Sequence, residues 1–272
     1  MLIDKEIKLE NRTNIKEIVK EKYGTIAREV TKEKSCCCDS KKIVDYTIFS
    51  DDYSKLDGYS KEADLGLGCG LPTEFAGIKK GDIVVDLGAG AGNDVFVAHS
   101  EVGASGKVIG IDFTDEMIEL ANENKGKLGF SNVDFRLGEI EDLPVDEGST
   151  DVVISNCVLN LVPNKEKSFS EIHRILKTGG HFCISDIVLV GNLPDGLKKS
   201  AEMYAGCVAG ALQQDEYIGI INNTGFRNVE IKLTKTVTIP NDILIKYLSE
   251  EQLVQYNKSG IGIFSITVVG EK

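Results

Sequence analysis

Residues 83–94 constrain this chain more than any other stretch. An apolar run, Ile83-Val84-Val85, leads through Asp86 and Leu87 to Gly88, Gly90 and Gly92 at alternate positions, then to Asn93 and Asp94. The pattern predicts a buried strand, a tight turn and the start of a helix, which is the beginning of an α/β unit. Glycines at a strand end let the backbone approach a ligand with no Cβ in the way, and the following helix aims its free N–H groups at it. The spacing is G-x-G-x-G, not the G-x-G-x-x-G of a dinucleotide loop. Asp86, two residues before the first glycine, would repel a pyrophosphate but suits a ligand carrying an ammonium or a sulfonium.

Downstream segments repeat the theme. Lys107 to Phe113 reads as a second strand ending in Asp112, and an acid there can accept both hydroxyls of a ribose. Asp115 to Asn124 reads as a helix capped by Thr114 or Asp115, with Met117 either an apolar wall against adenine or a core residue. Val133 to Leu137 alternates as a third strand and runs into Gly138-Glu139-Ile140, where Glu139 can accept from an adenine amino group. Asp151 to Asn160 is almost continuously apolar, as a strand buried on both faces should be. Ligands of open parallel sheets bind outside the carboxyl ends of strands, which puts Asn156 and Cys157 beside the ligand. Lys165 to Lys177 is expected to be helical, with Thr178-Gly179-Gly180 turning into a strand from His181 to Val188.

The D-x-G-x-G-x-G loop and these strand ends together resemble class I S-adenosylmethionine-dependent methyltransferases. The resemblance implies a doubly wound, Rossmann-like α/β sheet whose last strand, Gly262 to Val269, is antiparallel. It implies S-adenosylmethionine as cofactor, bound by Asp86, Gly88, Gly90, Asp112, Phe113, Met117, Glu139, Ile140 and Asn156. Thr178 stands where that family's turn has proline.

Composition narrows the remaining classes. The 272 residues are 42% hydrophobic, enough for a sizeable core, and the net charge of −12 argues against a nucleic-acid surface, which needs clustered Lys and Arg. No apolar run reaches the roughly 18 residues of a membrane span, and residues 1–10 are charged throughout, with no signal-peptide character. A cytoplasmic protein is expected. In a reducing compartment its seven cysteines are read as reactive or ligating before they are read as disulfides.

Those cysteines fall outside the plain α/β pattern. Asn14 and Glu17 have capping-box spacing, and Ile15, Ile18, Val19, Tyr23, Ile26, Ala27 and Val30 form one helical stripe, interrupted by Gly24, where a break into two helices is possible. Next come Cys36, Cys37 and Cys38, three adjacent thiols that cannot all face one point on a regular element. Cys69 is flanked by Gly68 and Gly70, a backbone able to crowd a ligand. Cys207 lies among small residues in a helix expected from about Leu197 to Leu212. Asp215 to Thr224 is expected to be helical, Val229 to Ile239 a strand, and 241–255 helical.

Gly66-Leu67-Gly68-Cys69-Gly70, Ser155-Asn156-Cys157-Val158-Leu159-Asn160-Leu161 and Ala205-Gly206-Cys207-Val208-Ala209-Gly210 resemble the three cysteine motifs of arsenite S-adenosylmethionine methyltransferases. The resemblance implies trivalent arsenic held by Cys157 and Cys207, with Cys69 as third ligand or redox partner. It also implies that one of Cys36, Cys37 and Cys38 pairs with Cys69 during the cycle. A cysteine-rich C-terminal end of some members is missing here. The implied organisation is an N-terminal helical, cysteine-bearing cap (1–70), a cofactor-binding core (71–190), and a C-terminal arsenic-binding segment that also supplies the last strands (191–272). The implied partners are a small arsenical presented as a thiol conjugate and a thiol reductant such as thioredoxin or glutathione, with neither nucleic acid nor membrane.

Elementary chemistry agrees with that reading. Arsenic(III) is soft and three-coordinate and keeps a lone pair, so thiolates are its preferred donors. The lone pair is then the nucleophile and no general base is required. His99, His173 and His181 accordingly read as structural or exposed. Two rivals stand beside it: a methyltransferase acting on a quinone or another small molecule, which leaves the cysteines unexplained, and a thiol-based metalloid or zinc sensor, for which no C-x-x-C pair exists.

Overall fold

A computed structural model describes residues 2–33, 51–192, 210–237, 244–245, 248–259 and 262–272, with side chains omitted for 2–15, 32, 33 and 257. Cys36, Cys37, Cys38, Cys207 and the helix expected from Leu197 lie outside the described residues.

Five strands run in parallel order before the chain reverses. They are β1 (Ile83–Leu87), β2 (Lys107–Asp112), β3 (Val133–Leu137), β4 (Thr150–Asn156) and β5 (Leu176–Val190), followed by β6 (Arg227–Val237) and β7 (Gly262–Glu271). The seven-stranded sheet has the order β3-β2-β1-β4-β5-β7-β6, with β7 antiparallel to both β5 and β6, as expected for the class I fold. β1 pairs with β2 on one side and β4 on the other, so the strand order turns at β1/β4, the position where doubly wound sheets open a crevice for a ligand.

Helices cover both faces. On one face α3 (Asn93–Val102) and α4 (Asp115–Leu128) bury Phe96, Met117 and Leu120 against Val84, Val108 and Ile154. On the other, α5 (Lys165–Ile175) and α6 (Gln214–Asn223) bury Phe169, Ile172 and Tyr217 against Phe182, Ile184 and Val268. Phe169 meets Phe182 and Tyr217 edge to face, centroids 6.0 and 5.7 Å apart. A short helix, Pro72–Ala76, a 3-10 turn, Leu159–Leu161, and a C-terminal helix, Glu250–Lys258, are also described, the last opened by a capping box of Ser249 and Gln252.

Two expectations are corrected. The N-terminal helix α1 is continuous, Leu2–Glu33, and neither starts at Asn14 nor breaks at Gly24. Gly24 is where α1 touches α4: a Cβ there would stand 3.0 Å from the Glu116 carboxylate, so of the two readings open at Gly24 the unbroken helix holds, with a close approach to α4. Helix α5 ends at Ile175, before Lys177. Leu176 is buried and pairs with Thr150, while Gly180 O accepts from Lys272 N–H at 2.9 Å, so the sheet claims residues expected to form the last helical turn and the turn after it.

Candidate active site

The crevice at the β1/β4 turn opens into a cavity. Its floor is the loop Gly88–Ala91; Asp112, Phe113 and Met117 stand on one side, Glu139 and Ile140 beyond them, and Asn156 and Cys157 on the other. Lys16, Val19 and Tyr23 of α1 close it from above, with Tyr53 and residues 63–68 alongside.

The loop is shaped for a polar ligand. Gly90 has φ 50° and nothing within 4 Å of where its Cβ would be, leaving backbone free to be approached. Its N–H donates to Asp112 Oδ2 at 3.0 Å, and Asp112 Oδ1 accepts from Thr114 N–H at 2.9 Å. Burial raises the Asp112 carboxyl above its usual range while these donors oppose the shift. Asn93 Oδ1, also on the cavity wall, is buried without a hydrogen-bond partner, an acceptor a bound ligand can satisfy. A buried acid, an unsatisfied acceptor and an open glycine loop fit the ribose and amino-acid ends of S-adenosylmethionine.

Of the two acids that flank the glycine loop, Asp86 and Asp94, it is Asp94 that lines the cavity. Asp86 is buried on β1, held well above the carboxylate range by burial and by the carboxylates of Asp94 and Asp112, and is not among the lining residues. Asp94, in the first turn of α3, lines the cavity; burial pushes its carboxyl up to about 6, against hydrogen bonds from Asn156 and Tyr53. The Tyr53 hydroxyl reaches both of its oxygens, at 2.9 and 3.0 Å. Sequence reasoning missed Tyr53, Asn93 and Asp94. The last two directly follow the third glycine, and an acid in a first helical turn was the available signal.

Three expected cofactor contacts have prior engagements. The Glu139 carboxylate accepts from Lys16 Nζ at 2.7 Å, and Lys16 also pairs with Glu141. Met117 is both wall and core, 1% exposed. Asn156 is a clamp: its Nδ2 donates to Gly70 O at 2.8 Å and to Tyr53 Oη at 2.5 Å, and its Oδ1 accepts from Cys69 N–H at 2.9 Å.

That clamp brings two cysteines together across the sequence. Cys157 follows β4 with φ 60°, rare for a residue with a Cβ, and its N–H donates to Ser185 O at 2.7 Å. Cys69 is held by Asn156 through its N–H and by Ser265 Oγ through its carbonyl. The two Sγ atoms and a carboxylate oxygen of Asp186 lie within 4.8 Å of one another, all three residues buried. Asp186 was not anticipated; burial pushes its carboxyl up to about 7, with Lys165 the leading opposing influence. The glycines beside Cys69 are crowded by protein atoms. A Cβ on Gly68 would meet Asn156 Nδ2 at 2.6 Å, and one on Gly70 would meet Ser185.

The remaining candidates are structural. Cys183 donates its S–H to Pro72 O at 3.1 Å, and burial pushes its thiol up to about 12. His99 stacks on Phe130 with centroids 3.9 Å apart, His173 meets Phe226 edge-on, and His181 Nε2 lies 2.5 Å from Ala76 O. No histidine lines the cavity. No described helix is long and apolar enough to cross a membrane.

Residues 78–225 match the family model described as a methyltransferase domain. The chain is 41% identical to an arsenite methyltransferase of Halobacterium salinarum over 79% of its own length and 58% of the relative's. It is 32% identical to one from Aquipseudomonas alcaligenes, over 86% of its own length and 68% of the relative's. Its structure superimposes with a TM-score of 0.64 on an arsenic(III) S-adenosylmethionine methyltransferase from Chlamydomonas reinhardtii, at 31% identity, covering 86% of this chain and 75% of that one. The chain thus spans from about half to about two thirds of the length of the curated arsenite methyltransferases it matches. With the sheet order and the glycine loop, these likenesses establish that the chain belongs to the arsenite methyltransferase family, within the class I methyltransferases whose cofactor is S-adenosylmethionine.

Proposed function

We propose that the protein methylates trivalent arsenic, with Cys157 and Cys207 as arsenic ligands and Cys69 as third ligand or redox partner. The observation that carries this reading is the approach of Cys69 and Cys157 beside the cavity, in a chain whose relatives bear the name arsenite methyltransferase. The parts 1–70, 71–190 and 191–272 would act as cysteine-bearing cap, cofactor core and arsenic-binding segment. Bound S-adenosylmethionine supplies an electrophilic methyl group on a sulfonium. Asp112 would hold the ribose hydroxyls, Gly88 and Gly90 the backbone face of the cofactor, and Phe113, Met117 and Ile140 the adenine, with Asp94 supplying negative charge towards its cationic end and Asp86 supporting the glycine loop from β1. Glu139 and Asn156 would act chiefly by fastening the cap and by positioning Cys69.

The cysteines do the chemistry left to the protein. Three thiols displace three hydroxides from arsenous acid as water with no net proton, so no residue has to act as a base. In-line placement of the arsenic lone pair is what the cage contributes, and such positioning is worth up to about 7–11 kcal/mol. Methylation takes arsenic formally from the trivalent to the pentavalent state. A cysteine pair would return the two electrons as two S–H bonds give way to one S–S bond, and Cys69 with one of Cys36, Cys37 and Cys38 is the assigned pair. A thioredoxin- or glutathione-type reductant would then restore the thiols in the cytoplasm.

The test is arsenite-dependent turnover. Reduced protein with methyl-labelled S-adenosylmethionine should give labelled methylarsenicals on arsenic speciation. Label transfer to a quinol in place of arsenic would establish the rival reading.

A further inference from the structure

We propose that Cys69, Cys157 and Asp186 form a binding site for a thiophilic divalent cation, with zinc as the cellular occupant. The site shares two thiols with the proposed arsenic cage but does not depend on that reading.

The donor set is the argument. Two thiols and one carboxylate oxygen lie within 4.8 Å of one another, a spacing that one small ion can bridge. Zinc takes sulfur, nitrogen and oxygen donors, and sites with three protein ligands keep a fourth position for water. Cys157 stands on the cavity wall, so water can reach that position. A carboxylate as third donor disfavours copper(I), which selects soft ligands throughout, and two thiolates exclude magnesium and calcium, which take oxygen ligands. Arsenic(III) prefers a third sulfur, so the oxygen-bearing triad suits the divalent ion better than it suits arsenic.

The donors are also held from behind. The Asp186 carboxylate accepts from Asn160 Nδ2 at 2.7 Å, from Ile187 N–H at 3.0 Å and from Tyr217 Oη at 3.2 Å. Ser185 O anchors Cys157, while Asn156 Oδ1 and Ser265 Oγ anchor Cys69. Such supporting contacts orient ligands and tune affinity. Three acidic groups this close and this buried are costly to ionise together, and a divalent cation lowers that cost by offsetting two of the three charges. A cation bound there withholds Cys69 and Cys157 from arsenic, so zinc and arsenite exclude one another.

The test uses the full-length chain with Cys36, Cys37, Cys38 and Cys207 all replaced by serine, which leaves Cys69, Cys157 and the inert Cys183. Cadmium is titrated into the reduced protein and the ultraviolet thiolate-to-cadmium charge-transfer band is followed. We expect one cadmium per chain, a band of two-thiolate intensity, halved or lost in Cys69→Ser and Cys157→Ser, and competition by zinc. Asp186→Asn should keep the band but weaken binding by at least the roughly 10- to 100-fold that loss of a supporting contact costs. Should the serine background fail to fold, the same single substitutions in the otherwise unaltered chain should each remove one thiolate from the band. A band indifferent to Cys69 and Cys157, or an affinity indifferent to Asp186, overturns the site. Cadmium binding in the serine background, beside an unaltered chain that leaves arsenite unmethylated, would support the site and count against the arsenic reading alone.

Discussion

Lys16 on α1 reaches across the mouth of the cavity to Glu139, 2.7 Å from nitrogen to oxygen. The same helix is joined to α4 by Lys20–Asp115 at 2.8 Å and by Arg28–Glu116. These pairs are partly exposed, and such pairs are worth about 0.2–1 kcal/mol each. Buried Val19, Ile26 and Ala27 hold the same helix to the core, so the ion pairs are the salt-sensitive part of what fastens it over the cavity.

Lys16→Ala should loosen that cover. We expect the dissociation constant for S-adenosylmethionine to rise by up to about 5-fold at low salt, as a loss near 1 kcal/mol requires, with less effect at 0.5 M salt, where such pairs are screened. Calorimetry at two ionic strengths measures this. Equal affinities for variant and parent at low salt would mean that the pairs do not hold the cover over the cofactor.

Gly68→Ala should disturb Cys69 without touching a thiol. Its Cβ would come 2.6 Å from Asn156 Nδ2, an amide already committed to Gly70, Tyr53 and Asp94. Overpacking of this kind typically costs about 1–3 kcal/mol. Denaturant unfolding should register that loss and arsenite affinity should fall with it; unchanged values for both would mean that the loop yields freely.

Asp94 imposes a pH dependence whose sign follows from its raised value. An acid at 3.8 in the unfolded chain and about 6 in the folded one favours folding less as pH rises through that interval, because the unfolded state gives up its proton first. Asp94→Asn should therefore gain stability relative to the parent between pH 4 and about 6, and the difference should level off above that window. Thermal midpoints of both proteins across this range, without cofactor, provide the measurement. A difference that is flat with pH would refute the assignment.

The thiols should separate by step. Cys157→Ser and Cys207→Ser should abolish methylation of arsenite and of a monomethylated trivalent arsenical alike. Cys69→Ser should lose the first methylation but keep the second, because a monomethyl arsenical has only two positions left for thiolates. Speciation of products from each substrate decides it, and near-normal turnover by Cys157→Ser would sink the proposed roles.

The strand pattern was legible because local physics sets it. Apolar runs closed by Asp and Gly at β1, by Asp112 at β2 and by Asn156 at β4 name buried parallel strands, and the glycine loop at Gly88–Gly92 names the turn between strand and helix. The role of Gly24 and the end of α5 at Leu176 were not legible for one reason: each answers to a partner remote in sequence, Glu116 for the first and Thr150 for the second. The site divides along the same line. Residues 83–94, 107–113 and 151–157 were legible as strand ends that carry polar side chains, since a strand end fixes where a side chain emerges. What only the tertiary structure decided is which acids meet which thiols. Asp94 displaced Asp86 from the cavity wall, and Asp186 joined Cys69 and Cys157, because β5 and the Asn156 clamp bring these residues together across gaps no local pattern encodes.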